Sequence, residues 1–156
     1  MNCDIGRRRK KRIGKMSKSG IEIRIVDEWP KNEIVELFKA GGWWKDNYDA
    51  SSIKDLIKGS FAFVVAIESN SKKAIGMGRL ISDGISDAYI QDLIVKPAFR
   101  KNGIGKQIAQ KLINHCKKRK ITWLGLISEP NQEGFYKKLG FKIMEKHTPM
   151  LYDEDK

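Results

Sequence analysis

From Ala88 to Lys106 the chain reads Ala-Tyr-Ile-Gln-Asp-Leu-Ile-Val-Lys-Pro-Ala-Phe-Arg-Lys-Asn-Gly-Ile-Gly-Lys, a strand that runs straight into a tight loop and a helix start. Tyr89 to Val95 is rich in β-branched and aromatic residues, and Pro97 ends the strand because proline has no N–H for a ladder. Gly103 and Gly105 flank one apolar residue, and the helical spacing of Ile104, Ile108, Leu112, Ile113 and Cys116 begins inside the loop itself. A helix start leaves its first N–H groups unpaired and carries partial positive charge, while glycine lets another group approach the backbone closely. Lys101 to Lys106 therefore has the makings of a phosphate site.

Three phosphate loops use this logic, and the residues separate them. A nucleoside-triphosphate loop needs glycine where Arg100 stands and Ser or Thr where Gln107 stands. A dinucleotide fingerprint needs a small residue at Ile108. Glu129 does sit near the distance of a ribose-binding acid, but only about fifty residues follow the loop, too few for a doubly wound sheet. The third fits. Arg100-Lys101-Asn102-Gly103-Ile104-Gly105 resembles the Gln/Arg-x-x-Gly-x-Gly/Ala motif of the GNAT superfamily of acetyl-CoA-dependent N-acetyltransferases, preceded as in that family by a strand ending in Val95 and by Pro97. Downstream, Gly134-Phe135-Tyr136-Lys137-Lys138-Leu139-Gly140-Phe141 resembles the family's Phe-Tyr-x-x-x-Gly-Phe segment. The resemblance covers Ile21 to Tyr152. Arg79-Leu-Ile-Ser-Asp-Gly84, Tyr89-Ile-Gln-Asp, Phe135-Tyr136 and Pro149-Met150 look closest to the branch with aralkylamine and plastid-type acetyltransferases.

At 156 residues, 40% hydrophobic and 32% charged, the chain suits one compact α/β domain. Only Cys3 and Cys116 are present, so no disulfide framework or metal cluster is expected. The longest apolar run, Phe61 to Ile67, is too short to span a bilayer, and no apolar signal segment follows the basic start, which predicts a soluble, cytoplasmic protein with no membrane partner. Net charge is +12, of which Met1 to Gly20 supplies eight Lys or Arg against Asp4. Arg7-Arg8-Arg9-Lys10-Lys11-Arg12 has no hydrophobic periodicity, so residues 1–20 read as a solvated, disordered basic arm ahead of a domain at 21–156. Such a run also resembles a nuclear-localisation or nucleic-acid patch.

Ile21 to Val26 alternates apolar and polar, as a half-buried strand does. Ile34, Val35, Leu37 and Phe38 have helical spacing stopped by Gly41-Gly42. A second short helix buries Ile53, Leu56 and Ile57, with Ser51 or Ser52 as its cap. Trp43, Trp44 and Tyr48 fall between the helices. Phe61 to Ile67 and Ala74 to Ile81 form a hairpin in which Gly76 and Gly78 mark a bulge or a close approach. After the phosphate loop come a helix from Gly105 to Lys118, with His115 structural, and a strand from Ile121 to Ile127 lying parallel to Tyr89–Val95. A helix with Phe135, Tyr136 and Leu139 and a closing strand from Phe141 complete the order β-αα-βββ-α-β-α-β.

The resemblance implies the rest. Its fold is a single α+β domain, a mixed and mostly antiparallel sheet of about six to seven strands flanked by about four helices, with two central parallel strands splayed apart. Its cosubstrate is acetyl-CoA and it uses no metal. The pyrophosphate would lie against the amides of Lys101 to Lys106, with Lys101 and Lys106 adding charge and with Arg100 and Asn102 among the coenzyme-binding residues. The pantetheine arm would pair with the edge of Leu93, Ile94 and Val95, with the Leu93 N–H meeting the thioester carbonyl. Tyr136 matches the frequent general acid, and Asn131, which lies closer to Phe135 than is usual in the family, a coenzyme contact. Trp43 and Trp44 lie in the region that borders the acceptor pocket, although sealing a core edge is their ordinary reading. Tyr89 and Gln91 occupy positions where family members place a base or its water contacts. On a regular strand Tyr89, Gln91, Leu93 and Val95 share one face and Asp92 the other. Proton removal is expected through ordered water, helped by Asp83, Asp92 or Glu133. The acceptor is a small-molecule or protein amine, and the family often forms homodimers.

Overall fold

The computed structural model describes residues 20–152, so expectations for the basic arm, including residues 7–12, fall outside the described residues. Its elements follow the expected order up to the last: β1 (Ile21–Ile25), α1 (Lys31–Ala40), α2 (Ile53–Gly59), β2 (Ala62–Glu68), β3 (Ala74–Ser82), β4 (Asp87–Val95), α3 (Ile104–Lys118), β5 (Trp123–Gly125) and α4 (Glu133–Lys137). The strands form one sheet in sequence order, antiparallel from β1 to β4 and parallel between β4 and β5.

Among the described residues the strand count is five rather than six to seven, because the segment from Phe141 forms no strand. Lys146 there has φ 63° and Pro149 cannot donate to a ladder, so the run of paired peptides needed for a closing strand is broken. The parallel pair consequently lies at one side of the sheet, with β5 as its edge. β5 is also shorter than Ile121 to Ile127, and Leu139 lies beyond the end of α4. Ser52 stands at the N-cap of α2 but makes no side-chain capping bond there; the capping bond is one turn earlier, where the Asp49 carboxylate accepts from the Ser51 N–H at 2.8 Å and opens a 3₁₀ turn over Ala50–Ser52 that feeds α2.

The sheet is buried on both faces. Against α3 lie Val64, Leu80, Ala88, Ile90 and Val95 with Ile104, Ile108 and Leu112. Against α1 and α2 lie Phe63, Val65 and Met77 with Ile34, Leu37, Ile53 and Ile57. Gly76 and Gly78 mark a close approach. A Cβ on Gly76 would stand 2.9 Å from the Ile94 carbonyl oxygen and 3.0 Å from Ile108 Cδ1, and one on Gly78 would stand 3.0 Å from Ile108 Cγ2 and 3.1 Å from Leu93 Cδ1. These gaps on β3 let α3 sit low on the sheet, which sets the height of its N-terminus beside β4. His115 on α3 stacks edge-on to Phe61 at 5.2 Å, and burial pushes its imidazole below the ordinary value, as a structural histidine requires. No helix of the described residues is long and apolar enough to cross a membrane.

Gly78→Val should lower unfolding free energy by about 2–3 kcal/mol in chemical denaturation, because its methyls would meet Ile108, Leu93 and Leu112 together.

Candidate active site

After β4 the chain makes a 3₁₀ turn at Pro97–Phe99, then turns twice through the left-handed region, at Lys101 with φ 62° and at Gly103 with φ 76°. Gly103 is the N-cap of α3 and offers no side chain, and the first backbone bond of the helix runs from the Gln107 N–H to the Gly103 carbonyl at 3.1 Å. The N–H groups of Ile104, Gly105 and Lys106 are thereby left to the cleft. A Cβ on Gly103 would meet no atom of the protein within 4 Å, so its side faces open space. Lys101 and Lys106 are exposed, whereas the Ile104 side chain is buried in the core and pins the helix. The donor set, consecutive amides at a helix start with two free lysines, fits a pyrophosphate.

Two side chains of the motif build the loop rather than reach out of it. Asn102 Nδ2–H donates to the carbonyls of Phe99 at 3.1 Å and Arg100 at 3.2 Å. Arg100 Nε–H donates to the Val95 carbonyl at 2.8 Å, and its other end turns toward the Ala40 carbonyl. Arg100 therefore braces the end of β4 against α1.

β4 and β5 pair at three positions, Asp87 with Trp123, Ala88 with Leu124 and Tyr89 with Gly125, and then part. Beyond Tyr89, β4 has β3 on one side and no strand on the other, which is the expected splay. The expectation that Tyr89, Gln91, Leu93 and Val95 share a face is corrected by a β-bulge. Met77 pairs with Ile94 and Arg79 with Gln91, so Asp92 and Leu93 both stand opposite Gly78 alone, and Asp92 has φ 53°. The extra residue inverts the alternation. Ala88 and Ile90 face α3 before the bulge and Leu93 and Val95 face it afterwards, while Ile94 turns to the α1 side. Tyr89 and Gln91 stay on the α1 side, exposed.

Of the candidate carboxylates, Asp92 is ion-paired with Arg79. Asp83 accepts from the N–H groups of Ile85 at 2.8 Å and Ser86 at 3.1 Å, bonds that hold its carboxyl below the ordinary value. Glu133 is exposed in the first turn of α4. The acid that does approach Tyr136 is Glu129, considered from the sequence only as a ribose ligand. Burial first, and then the Glu129 charge, push the Tyr136 phenol above its ordinary 10.0. Tyr136 is half-buried between Phe135, 5.0 Å away, and Phe141, 5.9 Å away. Phe135 also packs beside Gly105, so α4 rests on the start of α3.

Trp43 and Trp44 pack with Phe38 on the second core at 6.5 and 6.3 Å, the core-sealing role, but Trp43 Nε1–H also donates to Glu129 Oε1 at 3.3 Å. Asn131 is exposed with φ 64°. One residue was missed. Trp123 lies over Gly125, where a Cβ would come within 2.5 Å of its ring, and meets Tyr89 at 5.0 Å. Tyr89 and Trp123 are 44% and 38% exposed, so this pair forms an open aromatic ledge at the apex of the splay. The signal was a tryptophan two residues from a glycine on the partner strand of Tyr89.

The pairing of β4 and β5 ends after three positions, the start of α3 lies beyond the end of β4, and α4 with Tyr136 rests on that start through Phe135. The chain matches the family model of the acetyltransferase (GNAT) domain over residues 34–150, and it belongs to that family. It is 29% identical over 140 residues to "Uncharacterized N-acetyltransferase ycf52" of Porphyra purpurea, covering 84% of this chain and 79% of that one. It is 30% identical over 110 residues to "GCN5-related N-acetyltransferase 1, chloroplastic" of Arabidopsis thaliana, covering 70% of this chain and 55% of that one. Among solved structures, a GNAT family acetyltransferase of Streptococcus pneumoniae superposes with a TM-score of 0.73 at 24% identity, over 87% of this chain and 99% of that one, a likeness of fold.

Gly103→Val should abolish acetyl-CoA binding in calorimetric titration, since a branched side chain strains the left-handed turn and fills the open side of the loop. Retained affinity would remove the loop from the coenzyme site.

Proposed function

We propose that the protein transfers acetyl from acetyl-CoA to a primary amine by direct attack. The observation that carries this reading is the bare N-terminus of α3, with its left-handed approach at Lys101 and Gly103, at the mouth of the gap where β4 loses β5. When bound, the coenzyme supplies an activated acetyl thioester. The amides of Lys101 to Lys106 hold its pyrophosphate, with the Lys101 and Lys106 ammonium groups beside them. Leu93, Ile94 and Val95 offer their free edge to the pantetheine arm as to an added strand. The Leu93 N–H donates to the acetyl carbonyl oxygen as that oxygen gains charge. One such donor is worth roughly a hundredfold or more in rate.

Tyr136 gives its proton to the departing sulfur. Its raised pKa keeps the hydroxyl protonated through neutral and mildly alkaline pH, the state an acid needs. The attacking amine must lose a proton first. With Asp83 and Asp92 occupied, Glu129 is the carboxylate suited to take it, through water, and Trp43 holds its side chain. The acceptor lies against the ledge of Tyr89 and Trp123, with Gln91 next to it on the same face. A flat apolar amine suits that surface better than a polyamine.

Thiol release against a panel of amines tests the reaction, and failure to release thiol with any amine despite acetyl-CoA binding would refute it. Tyr136→Phe should lower kcat about a hundredfold while leaving acetyl-CoA affinity within about twofold, and it should erase an alkaline limb lying above pH 10.0. Trp123→Ala should raise KM for aromatic amines about tenfold and leave small aliphatic amines unchanged.

A further inference from the structure

Among the described ion pairs, Arg79–Asp92 is the least exposed, at 17% and 21%, against more than half for the other two. It also sits on the one irregularity of β4. A bulge residue in the left-handed region is ordinarily glycine, because a Cβ there crowds the following carbonyl. Asp92 adopts that conformation with φ 53°. Aspartate tolerates the region better than most residues, yet it still needs its surroundings to hold it.

Those surroundings grip the bulge from both faces. On one, the Leu93 side chain enters the space that Gly78 leaves open, within reach of Ile108 and Leu112. On the other, Arg79 Nε–H donates to Asp92 Oδ2, and its Nη2–H donates to Gln91 Oε1 at 3.3 Å. Arg79 pairs with Gln91 in the ladder, so a single guanidinium spans the last regular position of β4 and the first residue of the bulge. Its planar fork suits this double contact, which a lysine ammonium cannot make in fixed geometry.

We propose that Arg79 is a positioning residue for acyl transfer: it clamps Asp92 in the left-handed conformation and so aims the Leu93 N–H at the acetyl carbonyl oxygen. This rests on the reading of the cleft given above. It also gives Asp92 a role other than proton transfer, since its carboxylate is committed to the clamp.

Removing Arg79 alone would leave the Asp92 carboxylate poorly solvated and without its donor and endanger folding, so the principal variant is Arg79→Met with Asp92→Asn, in which both charges go and asparagine keeps its tolerance of the left-handed region. Backbone ¹⁵N relaxation on the full chain reads the clamp. Order parameters at Asp92 and Leu93 should fall from about 0.85 toward about 0.6, with β2 unchanged. Kinetics read the consequence: kcat should drop about 10- to 100-fold, with acetyl-CoA Kd and amine KM within about twofold. Arg79→Lys should fall between, and Asp92→Asn alone, which keeps an acceptor oxygen, should lose least. Unchanged relaxation at the bulge would overturn the proposal. So would a rise in amine KM with kcat intact, which would make Arg79 an acceptor contact, or an Asp92→Asn loss as large as that of the double variant, which would make the carboxylate a reactant. A wild-type protein that binds acetyl-CoA but acetylates no amine would sink the functional reading, while the relaxation arm still decides whether Arg79 holds the bulge.

Discussion

The structure turns on the unequal pairing of β4. On one side it follows β3 from Ala88 opposite Ser82 to Val95 opposite Gly76, and on the other it holds β5 at only three positions. Peptide groups left without a partner inside a fold are costly, so a gap of this kind calls for something with the hydrogen-bonding pattern of a strand. The crossover from β4 through α3 to β5 then puts the start of α3 at the far end of the same gap, because the helix must begin where β4 ends. Opening the strand pair and presenting the unpaired amides of a helix start are thus one topological event. Gly76 and Gly78 complete it by letting α3 lie low enough for Ile104 and Ile108 to anchor in the sheet.

Two segments far apart in the chain, the stretch from Glu129 to Phe141 and the loop after α1, close the other wall. α4 is only five residues long and could not persist alone, but Phe135 rests beside Gly105 and Tyr136 packs between Phe135 and Phe141. Glu129 lies close enough to raise the tyrosine's pKa, and Trp43 reaches it from the loop after α1. Trp43 resolves a choice that looked exclusive from the sequence. Its ring seals the core against Phe38 while its indole N–H takes part in the cleft, since a tryptophan buries an apolar body and still carries one polar edge.

The element order as far as α4, the buried helix faces and the loop that opens α3 were legible because each rests on local rules: period-two strands, the helical spacing of Ile104, Ile108 and Leu112, and the glycines at the start of α3. What stayed hidden depends on pairing between strands. Alternation along Tyr89 to Val95 predicts one face for Leu93 and Gln91, and only the register with Gly78 shows that a residue has been inserted. The bracing role of Arg100 was not legible either, because the Val95 carbonyl that its Nε–H reaches is set by how the loop folds back on the end of β4. The closing strand failed for a similar reason. Phe141, Ile143 and Met144 have strand-like composition, but a strand needs an edge to join, and Lys146 and Pro149 interrupt the segment.

Backbone strain shows where the fold gives up local comfort. Among the described residues six non-glycine residues have positive φ, and three of them, Asp92, Lys101 and Asn131, fall in the bulge of β4, the loop before α3 and the approach to α4. Each such residue costs of order 1–2 kcal/mol relative to a relaxed backbone, and only surroundings that over-determine the conformation keep it. For Asp92 those surroundings are Arg79 and Gly78. For Lys101 they are the hydrogen bonds with which Asn102 and Arg100 tie the loop to Phe99 and Val95. Lys72, Lys120 and Lys146, the other three, sit in exposed turns where a glycine would serve as well. In the cleft a glycine would relax the backbone but remove the side chain that fixes it, Asp92 above all. Strain there is tied to rigidity, and rigidity is what a site needs if its donors are to meet a transition state without first having to reorganise.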